Sequence, residues 1–394
     1  MKIDFNQIID RKNTNSLKYD FAIERGKSPD ILPLWVADMD FKTAPPITEA
    51  LIKACEHGIY GYSDTKEDYF NAVHDWFLNH YHWYIERKWL VKTPGVVFAI
   101  CMAIRAFTKI GDAVLIQRPV YYPFSDSVIK NERLLINNAL VNRNGKYEID
   151  FVDFENKIVD NDVKLFILCN PHNPVGRVWT KEELLQLGDI CMKHNVLVIS
   201  DEIHADFIYP GYQHISFANL KPEYESRSIT CSSPSKTFNL AGLQVSNIII
   251  PNPQLKAAFK AETAKTGFCE LNSMGIIAGQ VAYQYGEEWL NDLNQYLQEN
   301  LDYLRTYLKE ELPILRLVEP EGTYLVWVDC RNLNLSDKEL DSIISDKANL
   351  WLDHGPMFGP EGSGYQRINI ACPREILMKA LEQLKGALQN EKAI

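Results

Sequence analysis

One lysine of this 394-residue chain lies in surroundings that are unusual for a charged side chain. Lys236 follows three serines and a proline in the stretch CSSPSKTFNLAGLQVSN, and an apolar Leu-Ala-Gly-Leu segment comes after it. A lysine taken at random is most often a solvated surface group. Small and apolar neighbours favour the neutral amine, which is suited to forming a Schiff base with a carbonyl compound. Lys236 is therefore predicted to be a nucleophile.

A second stretch, VKTPGVVFAICMAIRAF, indicates a helix that begins at an anion-binding turn. Gly95 allows a close approach of the backbone to a ligand, and the backbone N–H groups of Val96 and Val97 have no partner inside the helix. A helix that begins at glycine and binds nothing is the commoner case. The stretch alone therefore leaves both readings open.

Two further stretches place polar side chains after predicted strands. LCNPHNPVGRVWT contains two Asn-Pro steps, in which each proline restricts the preceding residue, so Asn170 and Asn173 are expected to project rigidly; a plain structural turn is the alternative. VLVISDEIHADF places Asp201 and Glu202 at the end of a buried strand. A buried carboxylate needs a cationic partner. Such a carboxylate has two possible roles. It caps a helix or forms an ion pair within the protein, or it is an acid held opposite a positive nitrogen of a ligand.

The elements that must position these residues alternate along the chain. The runs DAVLIQ, KLFILCN, VLVISDEIH, RSITCSS and SNIIIP predict strands buried on both faces, with helical stretches between them. Such a pattern is typical of an α/β fold with a mostly parallel sheet covered by helices, whose ligands lie at the carboxyl ends of the strands.

The pattern of apolar residues changes after Gly286. Apolar residues recur at helical spacing through EEWLNDLNQYLQENLDYLRTYLKEEL, and short strands and a final helix follow. The predicted organisation is an N-terminal arm (1–45) that packs beside a small C-terminal α+β domain (286–394), and a large ligand-binding domain (46–285).

The overall composition indicates which kinds of binding partner and which cellular compartment to expect. With 41 basic and 52 acidic residues the net charge is −11, which argues against a broad nucleic-acid or membrane surface. The eight cysteines contain no C-x-x-C pair, which favours reduced thiols over a disulfide framework or a metal site. No signal peptide or membrane span is recognisable at the N-terminus or elsewhere. A cytoplasmic protein is expected.

Together, an anion cradle, an asparagine, an aspartate and an imine-forming lysine describe a site for pyridoxal 5'-phosphate. Their order along the chain resembles that of the class I/II aminotransferase superfamily of fold type I pyridoxal-phosphate enzymes, over nearly the whole sequence. The stretches NPHNPVGRVWT, DEIHADF, SKTFNLAGLQ and PLWVADMDF are similar to the cystathionine β-lyase (cysteine-S-conjugate β-lyase) branch. The resemblance implies that branch's large domain, with a seven-stranded type of sheet, and its smaller α+β domain.

The resemblance also implies roles for the residues around the cofactor ring. Lys236 matches the lysine that forms the Schiff base, and Asp201 matches the carboxylate on the pyridine nitrogen. Asn173 matches the partner of the phenolic oxygen, and Tyr121 matches the aromatic residue that stacks on the ring. Lys236, Asp201 and Tyr121 are thus the expected catalytic residues.

For the phosphate group, the resemblance implies the backbone amides of Val96 and Val97, together with Ser233 and Ser235. Tyr62 matches a tyrosine that reaches the phosphate from the neighbouring subunit. A homodimer with active sites shared across the interface is therefore expected.

For an amino-acid substrate, Arg367 in YQRINIACP matches the arginine that binds the α-carboxylate. Asn173, Trp35 and Tyr122 are the other expected substrate contacts. For Trp35 and Tyr122 the alternative is an ordinary place in the core or on the surface, because most of the chain's 44 aromatic residues (8 Trp, 19 Tyr and 17 Phe) must lie there.

Three features depart from the plain aminotransferase pattern. Gln244 stands eight residues after the lysine, where aminotransferases usually carry a phosphate-binding arginine. His204 stands three residues after the aspartate, where many carry a tyrosine on the cofactor oxygen, and it is expected to contact the cofactor there. Val96 and Val97 replace a hydroxyl side chain. These departures resemble the lyase branch.

The implied function is α,β-elimination of cystathionine or related S-substituted L-cysteines to a thiol (homocysteine from cystathionine), pyruvate and ammonia. An aminotransferase is the alternative, because transamination and elimination use the same residues. A regulatory or binding protein that keeps pyridoxal phosphate only for stability is a third hypothesis.

Overall fold

The structure is a computed structural model of the chain, and it describes residues 3–390. The outermost residues of the predicted arm and small domain, 1–2 and 391–394, lie outside the described residues. The α-helices are α1 Pro45–His57, α2 Glu67–Tyr81, α3 Val96–Phe107, α4 Pro123–Lys130, α5 Phe151–Asp160, α6 Lys181–Lys193, α7 Pro222–Ser226, α8 Pro234–Thr237, α9 Pro253–Ala264, α10 Ser273–Tyr285, α11 Glu287–Glu311, α12 Asp337–Ser342 and α13 Arg374–Asn390.

The strands are short, as is usual for a sheet of this kind. They are β1 Leu32–Pro33, β2 Leu90–Thr93, β3 Ala113–Ile116, β4 Leu134–Asn137, β5 Val141–Arg143, β6 Lys146–Glu148, β7 Leu165–Cys169, β8 Leu197–Asp201, β9 Ser228–Ser232, β10 Ser246–Ile249, β11 Arg316–Val318, β12 Leu325–Asp329, β13 Leu350–Trp351, β14 Asp353–His354 and β15 Tyr365–Asn369. Short 3₁₀ helices include Ile23–Arg25, and a π-helical turn spans Ile343–Lys347.

The main sheet has seven strands in the order β2-β10-β9-β8-β7-β3-β4. The neighbours from β9 to β4 are parallel, whereas β10 runs antiparallel to both β9 and β2. The predicted α/β fold with a mostly parallel sheet is confirmed. The five runs predicted as strands correspond to β3, β7, β8, β9 and β10.

Strand β7, in the middle of this sheet, sends alternate side chains into two separate cores, as the two-residue period of a strand requires. Leu165 and Ile167 pack with α3, α4 and α9. Phe166 and Leu168 pack with α5, α6 and α7 on the other face. Burial on both faces explains why β7 is apolar throughout.

A four-stranded antiparallel sheet, β11-β12-β15-β14, forms a second layer near the C-terminus. The 25-residue helix α11 buries a leucine and aromatic stripe beside it, which confirms the amphipathic helix expected after Gly286. The domain boundaries at residues 45 and 286 stay a prediction.

The N-terminal segment is tied to this C-terminal part and carries a buried ion network. Strand β1 pairs in parallel with β13, with Leu32 opposite Leu350. Lys18 is fully buried, and its amine lies 2.8 Å from Asp40, which also binds Arg11 at 2.8 Å. Because a buried charge without a partner is strongly unfavourable, these pairs hold the segment around residues 37–40 in one position.

None of the helices between residues 3 and 390 has both the length and the apolar character needed to cross a membrane.

Candidate active site

The carboxyl ends of the parallel strands β7, β8 and β9 meet at one edge of the main sheet, next to the start of α3. A cavity of about 170 Å³ lies there. Parallel strands place their following loops on the same side, so residues far apart in the sequence come together. The cavity is lined by Ala37, Gly95, Val96, Val97, Phe98, Tyr121, Cys169, Asn173, Asp201, Ile203, His204 and Lys236.

Lys236 lies in α8 and points its amine into this cavity. Its Nζ donates a hydrogen bond to the backbone oxygen of Ala37 at 2.7 Å. In the described part of the chain no carboxylate forms an ion pair with it. Burial lowers the pKa of Lys236 to about 8, because desolvation disfavours the charged form. The amine is therefore partly neutral near neutral pH and is able to act as a nucleophile or base.

Asp201 ends β8 and is a buried carboxylate with little compensation. Its Oδ1 accepts one hydrogen bond, from the backbone N–H of Ile203 at 3.1 Å. Burial raises its pKa to about 7. The sequence predicts a cationic partner for this carboxylate, but no residue between 3 and 390 forms an ion pair with it or donates a charged hydrogen bond to it. A positive group in the cavity would supply that partner.

The neighbouring Glu202 has a different environment, which identifies it as structural. Its carboxylate accepts hydrogen bonds from Ser200 Oγ at 2.8 Å, Ser216 Oγ at 2.7 Å and the Phe217 N–H at 3.0 Å. Glu202 is thus satisfied by the protein, whereas Asp201 is left for a ligand.

The start of α3 forms the predicted anion cradle. Gly95 is the residue before the helix, and no side chain caps the helix N-terminus. A Cβ built on Gly95 meets no atom of the described chain within 4 Å, so the glycine borders open space. The backbone N–H groups at the start of α3, including those of Val96 and Val97, are therefore available to a ligand such as phosphate.

Arg367 on β15 is buried at the edge of the site. Its Nη2 donates to the backbone oxygen of Trp35 at 2.8 Å and to Asp353 Oδ2, and its Nη1 donates to Asn173 Oδ1 at 3.1 Å. Its Nε is buried without a hydrogen-bond partner. Asp353 lies directly opposite Arg367 in the β14–β15 pairing. Asp353 was not predicted from the sequence, although a carboxylate in the apolar run NLWLDHG was a usable signal.

Aromatic residues and a histidine complete the walls of the cavity. Tyr121 lines it, and its backbone N–H donates to the Asn173 backbone oxygen at 3.0 Å. Burial, with a smaller effect of the charge on Lys236, lowers the pKa of His204 to about 3, and its Nδ1 is buried without a partner. His204 is therefore neutral and able to hydrogen bond a ligand. Tyr324, which was not predicted from the sequence, donates its hydroxyl to the Ala37 oxygen at 3.0 Å.

The predicted residues that do not line the cavity are Ser233, Ser235, Tyr62, Tyr122, Trp35 and Arg367. The hydroxyl of Ser233 donates to the Val245 oxygen at 2.6 Å and accepts from the N–H of Ser235, so it caps α8. Tyr62 is fully exposed, and Tyr122 is 36% exposed at the rim, with its ring 5.6 Å from the Tyr121 ring. The phosphate roles of Ser233, Ser235 and Tyr62 and the substrate role of Tyr122 stay predictions.

The cavity fits pyridoxal phosphate in the chemistry of its donors. A free amine, an unpaired buried carboxylate and a helix N-terminus without a cap match an aldehyde, a cationic ring nitrogen and a phosphate. The unpaired buried nitrogens of His204 and Arg367 are further donors or acceptors that a ligand would satisfy.

Comparison with known proteins identifies the class. The model of the family "Aminotransferase class I and II" matches residues 29–384, and the chain belongs to this family. The chain is 42% identical over 386 residues to "Cystathionine beta-lyase PatB" of Bacillus subtilis (strain 168), covering 98% of this chain and 100% of that protein.

Solved structures agree in fold over almost the whole length. Cystalysin from Treponema denticola, which contains a pyridoxal 5'-phosphate cofactor, has a TM-score of 0.96 and 37% identity, with 99% of this chain and 100% of that chain covered. The pyridoxal-phosphate-bound C-S lyase from Staphylococcus hominis has a TM-score of 0.92 and 36% identity, with 98% of each chain covered.

Proposed function

We propose that the protein is a pyridoxal-phosphate-dependent carbon–sulfur β-lyase. It converts cystathionine or a related S-substituted L-cysteine, with water, to a thiol, pyruvate and ammonia. The observation that carries this proposal is the free amine of Lys236 in one cavity with the unpaired carboxylate of Asp201. The full-length similarity to proteins named cystathionine beta-lyase and C-S lyase selects this reaction among those of the family.

When bound, pyridoxal phosphate supplies a carbonyl group and an aromatic ring that accepts negative charge from the Cα of an amino acid. The start of α3 would hold its phosphate, and Asp201 would accept a hydrogen bond from its protonated ring nitrogen. Asn173 and His204 would offer hydrogen bonds to its polar ring substituents, and Tyr121 would pack on the ring. Asp201 and the unpaired Nδ1 of His204 would thereby gain partners.

The substrate is oriented by Arg367 and deprotonated by Lys236. The guanidinium of Arg367 binds the α-carboxylate through its unpaired Nε–H, while Asp353 and the Trp35 oxygen hold Nη2 and fix the plane of the group. The neutral amine of Lys236 then accepts the Cα proton at Nζ, and its lowered pKa provides that neutral form. Loss of the thiolate from Cβ follows in a lyase.

We propose that the enzyme acts as a homodimer. The loop that follows α1 exposes Ile59 by 75%, Tyr60 by 63% and Tyr62 by 104%, and clustered exposed apolar side chains are typical of interaction sites. A second copy of the chain would cover this surface and bring its Tyr62 to the phosphate. The eight free cysteines are consistent with the cytoplasm as its compartment.

The test supplies the cofactor-loaded protein with cystathionine and no keto acid. Continued release of homocysteine and pyruvate in equal amounts supports the lyase. Product formation that requires an added keto acid would identify an aminotransferase instead. Absence of turnover with every thioether amino acid, with the cofactor bound, would support a binding protein.

A Lys236→Ala variant serves as the control for this reaction. It should lose the visible absorbance of the lysine-bound cofactor and should lower thiol release by about three orders of magnitude or more, because nucleophile and base are the same amine. A variant that keeps both the absorbance and the turnover would refute the role of Lys236.

A further inference from the structure

A second arginine lies beside the site and has no role in the reaction described so far. Arg25 ends the 3₁₀ helix Ile23–Arg25, and its guanidinium lies over the indole ring of Trp35, 5.3 Å from the ring centroid. The turn is fixed, because Gly26 adopts φ 71° and the Lys27 N–H donates to the Ala22 oxygen at 2.8 Å. Arg25 is therefore held by stacking on an anchored tryptophan.

Trp35 connects Arg25 to the substrate-binding arginine. Its backbone oxygen accepts from Arg367 Nη2 at 2.8 Å, while its indole stacks on Trp351 with the centroids 4.4 Å apart. The phenol of Tyr122 lies near the charges of both arginines, which act to lower its pKa against the larger effect of burial. Arg25 and Tyr122 are both exposed, whereas Arg367 is buried, so Arg25 is the solvent-accessible arginine of the two.

The guanidinium of Arg25 also differs from that of Arg367 in having no anionic partner. Arg367 is buried and paired with Asp353. Arg25 is exposed, and no hydrogen bond or ion pair to its side chain is formed by the residues the structure describes. A stacked guanidinium keeps its hydrogen-bonding edge free, and its planar fork matches a carboxylate.

We propose that Arg25 binds a carboxylate at the far end of the substrate's leaving group, so that the enzyme prefers thioether amino acids with an anionic tail. With the α-carboxylate on Arg367 and Cα at Lys236, the substituent on sulfur must leave the cavity toward the rim. Cystathionine carries a carboxylate at that end. This inference rests on the proposed lyase function.

The kinetic test compares two substrates of equal length, S-(2-carboxyethyl)-cysteine and S-propyl-cysteine. In Arg25→Gln, kcat/KM should fall about fivefold for the anionic substrate, the upper range for an exposed ion pair, and should stay unchanged for the neutral one. Arg25→Lys should keep part of the preference. Lys12→Gln, which removes an exposed cation from the same segment, is the matched control and should leave kcat/KM unchanged for both substrates. High salt should reduce the preference of the wild-type enzyme.

A binding test separates this inference from the proposed function. Calorimetric titration of the cofactor-loaded protein uses 2-aminopimelate and 2-aminoheptanoate, which have no sulfur to eliminate. Weaker binding of 2-aminopimelate alone in Arg25→Gln supports the inference even if no thioether is cleaved. Equal effects on both ligands, or no effect on either, would overturn it, whether or not the enzyme is a lyase.

Discussion

Replacing Asp201 with asparagine should have opposite effects on the cofactor-free and the cofactor-loaded protein. Burial raises the pKa of Asp201 from its ordinary value of 3.8 to about 7. The folded protein therefore holds a proton that the unfolded chain releases, and stability falls as the pH rises from about 4 to about 7. Above that range the ionised carboxylate lowers the free energy of unfolding by about 4 kcal/mol, at about 1.4 kcal/mol for each pH unit between the two values.

Asparagine removes this penalty and keeps the bond to the Ile203 N–H, since its oxygen still accepts. The cofactor-free Asp201→Asn variant should therefore exceed the wild type in stability by up to about 4 kcal/mol at about pH 8, and by much less at about pH 5. For a chain of 394 residues the entropy of unfolding is about 0.8 kcal/mol/K, so the melting temperature should rise by about 5 °C. With the cofactor bound, the same variant should lose most of its activity, because the ring nitrogen loses its negative partner.

Urea unfolding and thermal melts of the cofactor-free proteins at both pH values measure the first effect, and thiol release measures the second. Asp75→Asn, which removes a charge from the exposed face of α2, is the control and should change neither quantity. If cofactor-free Asp201→Asn is less stable than the wild type at the higher pH, the carboxylate has a stabilising partner and the burial argument fails.

Three further substitutions test separate parts of the site. Gly95→Ala should fold normally, because the new Cβ meets no atom of the described chain, but should weaken cofactor binding about tenfold in a titration of the cofactor-free protein; unchanged affinity would place the phosphate elsewhere. Tyr324→Phe removes the hydroxyl that shares an acceptor with Lys236 Nζ, and should lower kcat several-fold at unchanged KM, whereas a change in KM alone would contradict a role in placing the amine. Asp353→Asn leaves the buried Arg367 without its counter-charge, and should lower stability by about 3 kcal/mol in urea and raise KM for every substrate; a stable variant with normal KM would show that Asp353 does not position the arginine.

The sequence predicts the main sheet well where both faces of a strand are buried. β7 and β8 are apolar because neither face meets water, and their runs are visible without any structure. β2 and β4 escaped prediction, because four-residue strands with half-exposed faces have no distinct pattern. The antiparallel direction of β10 depends on the path of its connection, which local pattern does not encode.

The candidate site shows the same division between local and distant information. Lys236 and Asp201 are recognisable because each polar group stands against apolar neighbours in its own stretch. Tyr324 acts through a group far away in the chain, the Ala37 oxygen, so its own surroundings carry little signal. Asp353 lies only 14 residues before Arg367, and its position in an apolar run was a signal that the sequence did offer. For Ser233 the sequence leaves two roles open, since a serine before a helix is as well suited to capping as to binding phosphate, and in the structure its hydroxyl caps α8.

The pairing of β1 with β13 has a consequence for synthesis on the ribosome. Leu32 is translated more than three hundred residues before Leu350, so β1 cannot pair with β13 until most of the chain has been made. Ala37, whose backbone oxygen binds the amine of Lys236, belongs to the same N-terminal segment. A nascent chain that ends before β13 would therefore lack the strand that pairs with β1 and supports the segment of Ala37.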